Sequence, residues 1–114
     1  MKVIIAGSRS ISNYEIVCKT IEESTFELSE VVSGGAQGID LLGERYAKEH
    51  SKPIKQFIPD WDKYGKSAGP RRNELMALYS EALIYIYDGK SKGTKNMIEL
   101  AKRYKLKTYG IILT

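Results

Sequence analysis

Glu30-Val31-Val32-Ser33-Gly34-Gly35-Ala36-Gln37-Gly38-Ile39-Asp40 is the stretch whose reading decides the fold. Glu30 to Ser33 predicts a short strand, Gly34 to Gly38 a glycine-rich turn, and Asp40 the first turn of a helix running to about His50. A strand that passes through a tight turn into a helix is the opening of a β-α-β unit, and such units pair their strands in parallel. Glycine lets backbone approach a ligand closely and take up positive φ. The helix start that follows presents unpaired N–H groups and the positive end of a dipole, which suit a phosphate.

The same alternation extends outward from this turn. Upstream, Lys2 to Ala6 is a β-branched run of the kind buried on both faces of a sheet, ended by Gly7. Ser12 or Asn13 caps a helix to about Ser24 with Ile16, Val17 and Ile21 inward. In the helix after Gly38, Leu41, Leu42, Tyr46 and Ala47 are placed to pack. Downstream come a strand at Pro53 to Phe57, a loop at Pro59 to Ser67, and a helix begun by Pro70 and holding Leu75, Met76, Leu78 and Tyr79. A strand at Ala82 to Tyr87, a turn at Asp88 to Gly93, a helix at Thr94 to Tyr104 with Met97, Ile98 and Ala101 inward, and a strand at Lys107 to Leu113 complete the chain. Five strands alternating with helices predict an α/β, Rossmann-like, doubly wound parallel sheet in the order 3-2-1-4-5, with helices on both faces.

Composition agrees with one domain over residues 1–114. The apolar fraction of 42% and charged fraction of 28% are those of an ordinary globular chain. The longest apolar runs are too short to span a bilayer, and no signal peptide is read at the start, so the expected setting is the cytoplasm with no membrane partner. The single cysteine, Cys18, fits a reducing compartment and is expected to face the core. One cysteine and one histidine argue against a Cys/His metal site, and no cofactor is read. The net charge of +4 favours anionic ligands but is not the dense basic stripe of a dedicated nucleic-acid binder.

In a sheet of this order the ligand crevice lies beyond the carboxyl ends of the strands, at the switch between strands 1 and 4. Three turns fall on that edge: Gly7-Ser8-Arg9-Ser10, Gly34 to Gly38, and Asp88 to Thr94. The candidate ligand-binding set is therefore Gly7, Ser8, Arg9, Ser33, Gly34, Gly35, Ala36, Gly38, Asp40, Arg71, Arg72, Asn73, Asp88, Ser91, Gly93 and Thr94. Ser8, Ser33, Ser91 and Thr94 add hydroxyls. Arg9 and one of Arg71 or Arg72 supply charged forks to an oxyanion, and Asp40 or Asp88 accepts from ribose hydroxyls. Gly65-Lys66-Ser67 is not a P-loop, because the position of its first glycine is Asp60 and no strand directly precedes it. Trp61, Tyr64 and Tyr46 are open to three roles: an aromatic wall for a base, core, or an oligomer contact.

Taken in order, Gly7-Ser8-Arg9, Ser33 to Asp40, Asp60-Trp61 with Tyr64-Gly65-Lys66, Ala68-Gly69-Pro70-Arg71-Arg72-Asn73 and Ser91-Lys92-Gly93-Thr94 resemble the small YspA/YpsA-related group of the SLOG superfamily, found in bacterial and phage genomes. The resemblance covers nearly the whole chain. It implies a Rossmann-like fold and a nucleotide or nucleotide-derived signalling ligand, sensed or sequestered, and a homo-oligomer. Two alternatives come with the superfamily. One is cleavage of a nucleoside 5′-monophosphate at its N-glycosidic bond, as in the LONELY GUY phosphoribohydrolases, with Arg72 and Glu99 as the catalytic pair, or Asp40 or Asp88 in place of Glu99. In those enzymes acids stand two and three positions beyond the Gly-Thr turn, where this chain has Asn96 and Met97, and Glu99 lies further along. The other is single-stranded DNA binding, as in DprA.

Overall fold

A computed structural model describes residues 1–113. Strands β1 (Lys2–Gly7), β2 (Glu30–Ser33), β3 (Ile54–Gln56), β4 (Ala82–Tyr87) and β5 (Lys107–Ile112) alternate with helices α1 (Tyr14–Ser24), α2 (Ile39–Glu49), α3 (Trp61–Tyr64), α4 (Ala68–Tyr79) and α5 (Lys92–Arg103). Every strand pair is parallel and the order is β3-β2-β1-β4-β5, the doubly wound arrangement expected from the alternation.

Side chains of β1 point alternately to the two faces of the sheet. Val3 and Ile5 join Val17 and Ile21 of α1 and Ile39 and Ala47 of α2. Ile4 and Ala6 join Met76 and Ala77 of α4 and Met97, Leu100 and Ala101 of α5. Burial of each such Ile, Val or Met contributes about 1.5–3 kcal/mol, so the central strands hold both helical layers. Asn13 caps α1 by accepting from the Ile16 amide at 3.3 Å.

Several boundaries differ from the expectation. Gly7 belongs to β1, paired with Ile86. The edge strand β3 is only three residues long, although the Phe57 amide still donates to the Ser33 carbonyl at 2.9 Å. The stretch read as a plain loop holds α3 and a 3-10 turn at Gly65–Ser67, because Asp60 accepts from the Lys63 amide at 3.1 Å and nucleates a turn. Helix α4 starts at Ala68 rather than Pro70, and α5 starts at Lys92 because Ser91, not a later residue, caps it. Leu41, expected to pack, points outward at 46% exposure, and Leu75 and Leu78 of α4 are outward at 56% and 61%. On α4 the inward positions belong to Asn73, Met76 and Ala77 instead. Cys18 is half-buried and free. Among the described residues no helix is long and apolar enough to cross a membrane.

Candidate functional site

At the carboxyl edge of the sheet a cavity of about 420 Å³ opens between the loops after β1, β2 and β4 and the start of α4. Its size is that of a small-molecule site, for which about 300–1,000 Å³ is usual. Of the expected residues, Gly7, Arg9, Ala36, Asp40, Arg72, Asn73, Ser91, Gly93 and Thr94 line it. Lys66, Lys92 and Asn96 line it as well. Sequence reading missed these three, although Lys66 and Lys92 both lie inside the motifs quoted above.

Arg72 and Asn73 tie the walls together. Arg72 Nη1 donates to the Gly34 carbonyl at 2.7 Å and its Nε donates to Asn73 Oδ1 at 2.9 Å. Asn73 Nδ2 in turn donates to Asn96 Oδ1 at 2.9 Å and to the Gly93 carbonyl at 3.3 Å. One chain of hydrogen bonds thus runs from the β2 turn through α4 to α5. A Cβ at Gly34 would lie 2.6 Å from Arg72 Nη1 and 2.9 Å from Asp40 Oδ2, so any side chain there would displace these two groups. Gly38, at φ +79°, is pressed against the Ser8 and Arg9 carbonyl oxygens, 2.6 and 2.7 Å from where a Cβ would stand. The β1 and β2 turns therefore touch backbone to backbone.

Asp40, 6% exposed, is the one carboxylate lining the cavity among the described residues. Burial pushes its pKa up to about 6, against the opposing pull of the Ala36 amide, Arg72 and the Gly7 backbone, and Glu44 one turn along α2 pushes it further up. Its Oδ2 accepts from the Ala36 amide at 3.3 Å. Burial lowers the Arg72 guanidinium from its ordinary value, while Asp40 holds it up. An arginine nonetheless stays charged at neutral pH. Around the cavity four cations, Arg9, Lys66, Arg72 and Lys92, face this one acid.

Seven expected residues are directed elsewhere. Ser33 is buried and donates to Glu44 Oε2 at 2.7 Å, and Glu44 also accepts from Gln56 Nε2. Ser8 is buried and accepts from the Asp88 amide at 3.0 Å, which joins the β1 and β4 turns. Asp88 folds its own turn, accepting from the Lys90 and Ser91 amides at 2.8 Å each, and these bonds hold its carboxyl below the usual range. Arg71 points away from the cavity: it stacks over Tyr64, 4.4 Å from the ring centroid, and donates to Ser67 Oγ at 3.2 Å. Gly34, Gly35 and Gly38 shape the β2 turn without lining the cavity. Glu99 is exposed on α5 and lies outside the cavity lining, so the pairing of Arg72 with Glu99 is not assembled. Of the aromatics among the described residues only Trp61 lines the cavity. Tyr46 stacks on His50 at 3.9 Å, against the core on the other side of the sheet. Among the described residues no group of three or more His, Cys, Asp or Glu is placed to hold a metal ion.

The family model described as YspA, cpYpsA-related SLOG family matches residues 1–64. A solved structure of DNA processing protein A (DprA) from Streptococcus pneumoniae has the same fold, with a TM-score of 0.79 at 23% identity over 99% of this chain. The chain spans 50% of that protein's length. No curated protein sequence matches the chain.

Proposed function

We propose, from the premise that this chain belongs to the YspA, cpYpsA-related SLOG family, that its cavity binds a nucleotide or nucleotide-derived anion through the phosphate. The observation that carries this reading is the charge of the lining: four cations, Arg9, Lys66, Arg72 and Lys92, against the single carboxyl of Asp40 among the described residues. Arg9, Lys66, Arg72 and Lys92 neutralise the phosphate, and Ser91, Gly93 and Thr94 bring the start of α5, with its dipole, to the same wall. Isothermal titration with nucleoside 5′-monophosphates and inorganic phosphate tests the reading. Saturable binding that weakens in Arg72→Ala is the expected result, and no heat at millimolar ligand defeats it.

A second reading, hydrolysis of the N-glycosidic bond, is favoured by Asp40, a carboxyl with a pKa of about 6 inside the cavity. Such a group is able to hold or release a proton near neutral pH. Release of free base from a nucleoside monophosphate, lost in Asp40→Asn, would establish it. The solved neighbour is a DNA processing protein, which weighs against the expectation, drawn from net charge, that nucleic acid is not a partner. Affinity for single-stranded DNA that falls steeply with salt would support that third reading. We also assign the outward Leu75 and Leu78 of α4 to a contact between copies of the chain.

A further inference from the structure

We propose that Trp61 is a base-stacking platform, so that the cavity selects nucleotides with an aromatic base over sugar phosphates of the same charge. This rests on the reading of the cavity as a phosphate site and deepens it.

Trp61 is the only tryptophan in the chain, and it is 51% exposed while lining the cavity. Leaving half an indole in water forgoes burial that would stabilise the fold, so packing alone does not account for its position. Its backbone is held firmly. Asp60 caps its turn, the Gly65 amide donates back to the Trp61 carbonyl, and Ser67 Oγ donates to the Tyr64 carbonyl at 2.8 Å. The ring edge lies over Gly69 at the start of α4, where an added Cβ would stand 3.5 Å from Cη2. The indole therefore sits on the first turn of the same helix that carries Arg72.

The lining is chemically mixed. Trp61, Pro70, Met76 and Met97 are apolar, whereas Arg9, Lys66, Arg72 and Lys92 are cationic. A ligand with a flat apolar end and an anionic end satisfies both parts. A bare phosphate or a sugar phosphate satisfies only the second. Aromatic stacking tolerates any base, because every base has a π-face, so Trp61 selects for the presence of a base rather than for its identity.

The single tryptophan makes the test direct. The full chain is titrated with the four ribonucleoside 5′-monophosphates, NAD, ribose 5-phosphate and inorganic phosphate, with affinity read by calorimetry and stacking by tryptophan emission. A base-bearing ligand should change the emission, and ribose 5-phosphate should bind without doing so. Trp61→Ala should weaken the nucleotide about 5- to 150-fold, the range for loss of one base–aromatic stack, and leave ribose 5-phosphate unaffected. Trp61→Phe should keep most of the affinity. Equal affinity for nucleotides and ribose 5-phosphate, with no emission change, overturns the stacking role and leaves the phosphate site standing. Loss of both affinities alike in Trp61→Ala, with Trp61→Phe no better, also overturns it. No binding of any phosphate compound removes the phosphate site and this proposal together.

Discussion

Arg72 on α4 donates to the carbonyl oxygen of Gly34 at 2.7 Å, across 38 residues of sequence, and so fixes the β2 turn against the helix that faces it. The same guanidinium lines the cavity. It is both a tether and a cation, and the two roles separate by substitution. Arg72→Ala removes both, leaving the Gly34 carbonyl and Asn73 Oδ1 without their donor. Arg72→Lys keeps the charge, but a point-like ammonium does not reproduce a fork aimed at two acceptors. Hydrogen bonds to charged groups contribute about 1.5–3 kcal/mol. Thermal unfolding should therefore show both variants destabilised, while calorimetry with adenosine 5′-monophosphate shows Arg72→Lys binding clearly better than Arg72→Ala. Equal affinity in the two would show that the charge of Arg72 is not used.

Gly38 provides a test of the contact between the β1 and β2 turns. Its φ of +79° is strained for any L side chain, and the atoms a Cβ would meet are backbone oxygens of Ser8 and Arg9, which no rotamer change relieves. Gly38→Ala should cost roughly 1–3 kcal/mol from the backbone conformation alone, and more from the contact. Urea unfolding measures it. A midpoint unchanged from the parent chain would mean that the two turns are not packed as described.

The β2 turn was the most legible part of the chain because glycines, hydroxyls and a helix start coincide there within a few residues. Sheet order followed from alternation, and the ends of the strands then located the cavity. Directions of individual side chains were not legible. Ser8 and Ser33 have the right chemistry for a ligand, but Ser33 donates to buried Glu44, Ser8 accepts from the Asp88 amide, and Asp88 is taken by its own turn. Arg71 and Arg72 are adjacent in sequence but about 100° apart around the helix, which sends one to Tyr64 and the other to the cavity. Lys66 reaches the site only because α3 and the 3-10 turn fold the loop back, a consequence of the Asp60 cap. Leu75 and Leu78 fit a packing helix by composition, yet the small residue Ala77 and the polar Asn73 hold the inward face.

Those two leucines lie one turn apart on the outer face of α4, at 56% and 61% exposure. If copies of the chain associate through this face, a charge there opposes association without disturbing the core. Light scattering at micromolar concentration should give a mass above 12.9 kDa for the parent chain and the monomer mass for Leu75→Glu/Leu78→Glu. A parent chain already monomeric, or a variant of unchanged mass, removes the assignment.

Asp40 gives the site a dependence on pH whose sign follows from burial. Its pKa rises from 3.8 to about 6 in the folded chain. A carboxyl with a raised folded pKa binds its proton more tightly when folded, so its contribution to stability is most favourable below pH 4 and is lost as pH rises toward 6. Above that pH the buried charge costs roughly 3 kcal/mol, at 1.36 kcal/mol per unit, and Asp40→Asn should recover much of this at pH 8 and little at pH 4. Binding follows the same proton. An anion beside Arg72 meets a charged Asp40 above pH 6 and a neutral one below it, so affinity should rise as pH falls through that value. Sulfate is the right probe, because a phosphate monoester itself titrates near pH 6. Removing one like charge about 4 Å away is worth at least about fivefold in affinity, the bulk-water value of about 1 kcal/mol. Calorimetry with sulfate at pH 5 and pH 8 should show this ratio in the parent chain and near-equal affinities in Asp40→Asn. The same ratio in both proteins would mean that the proton sits elsewhere and that Asp40 does not face the bound anion.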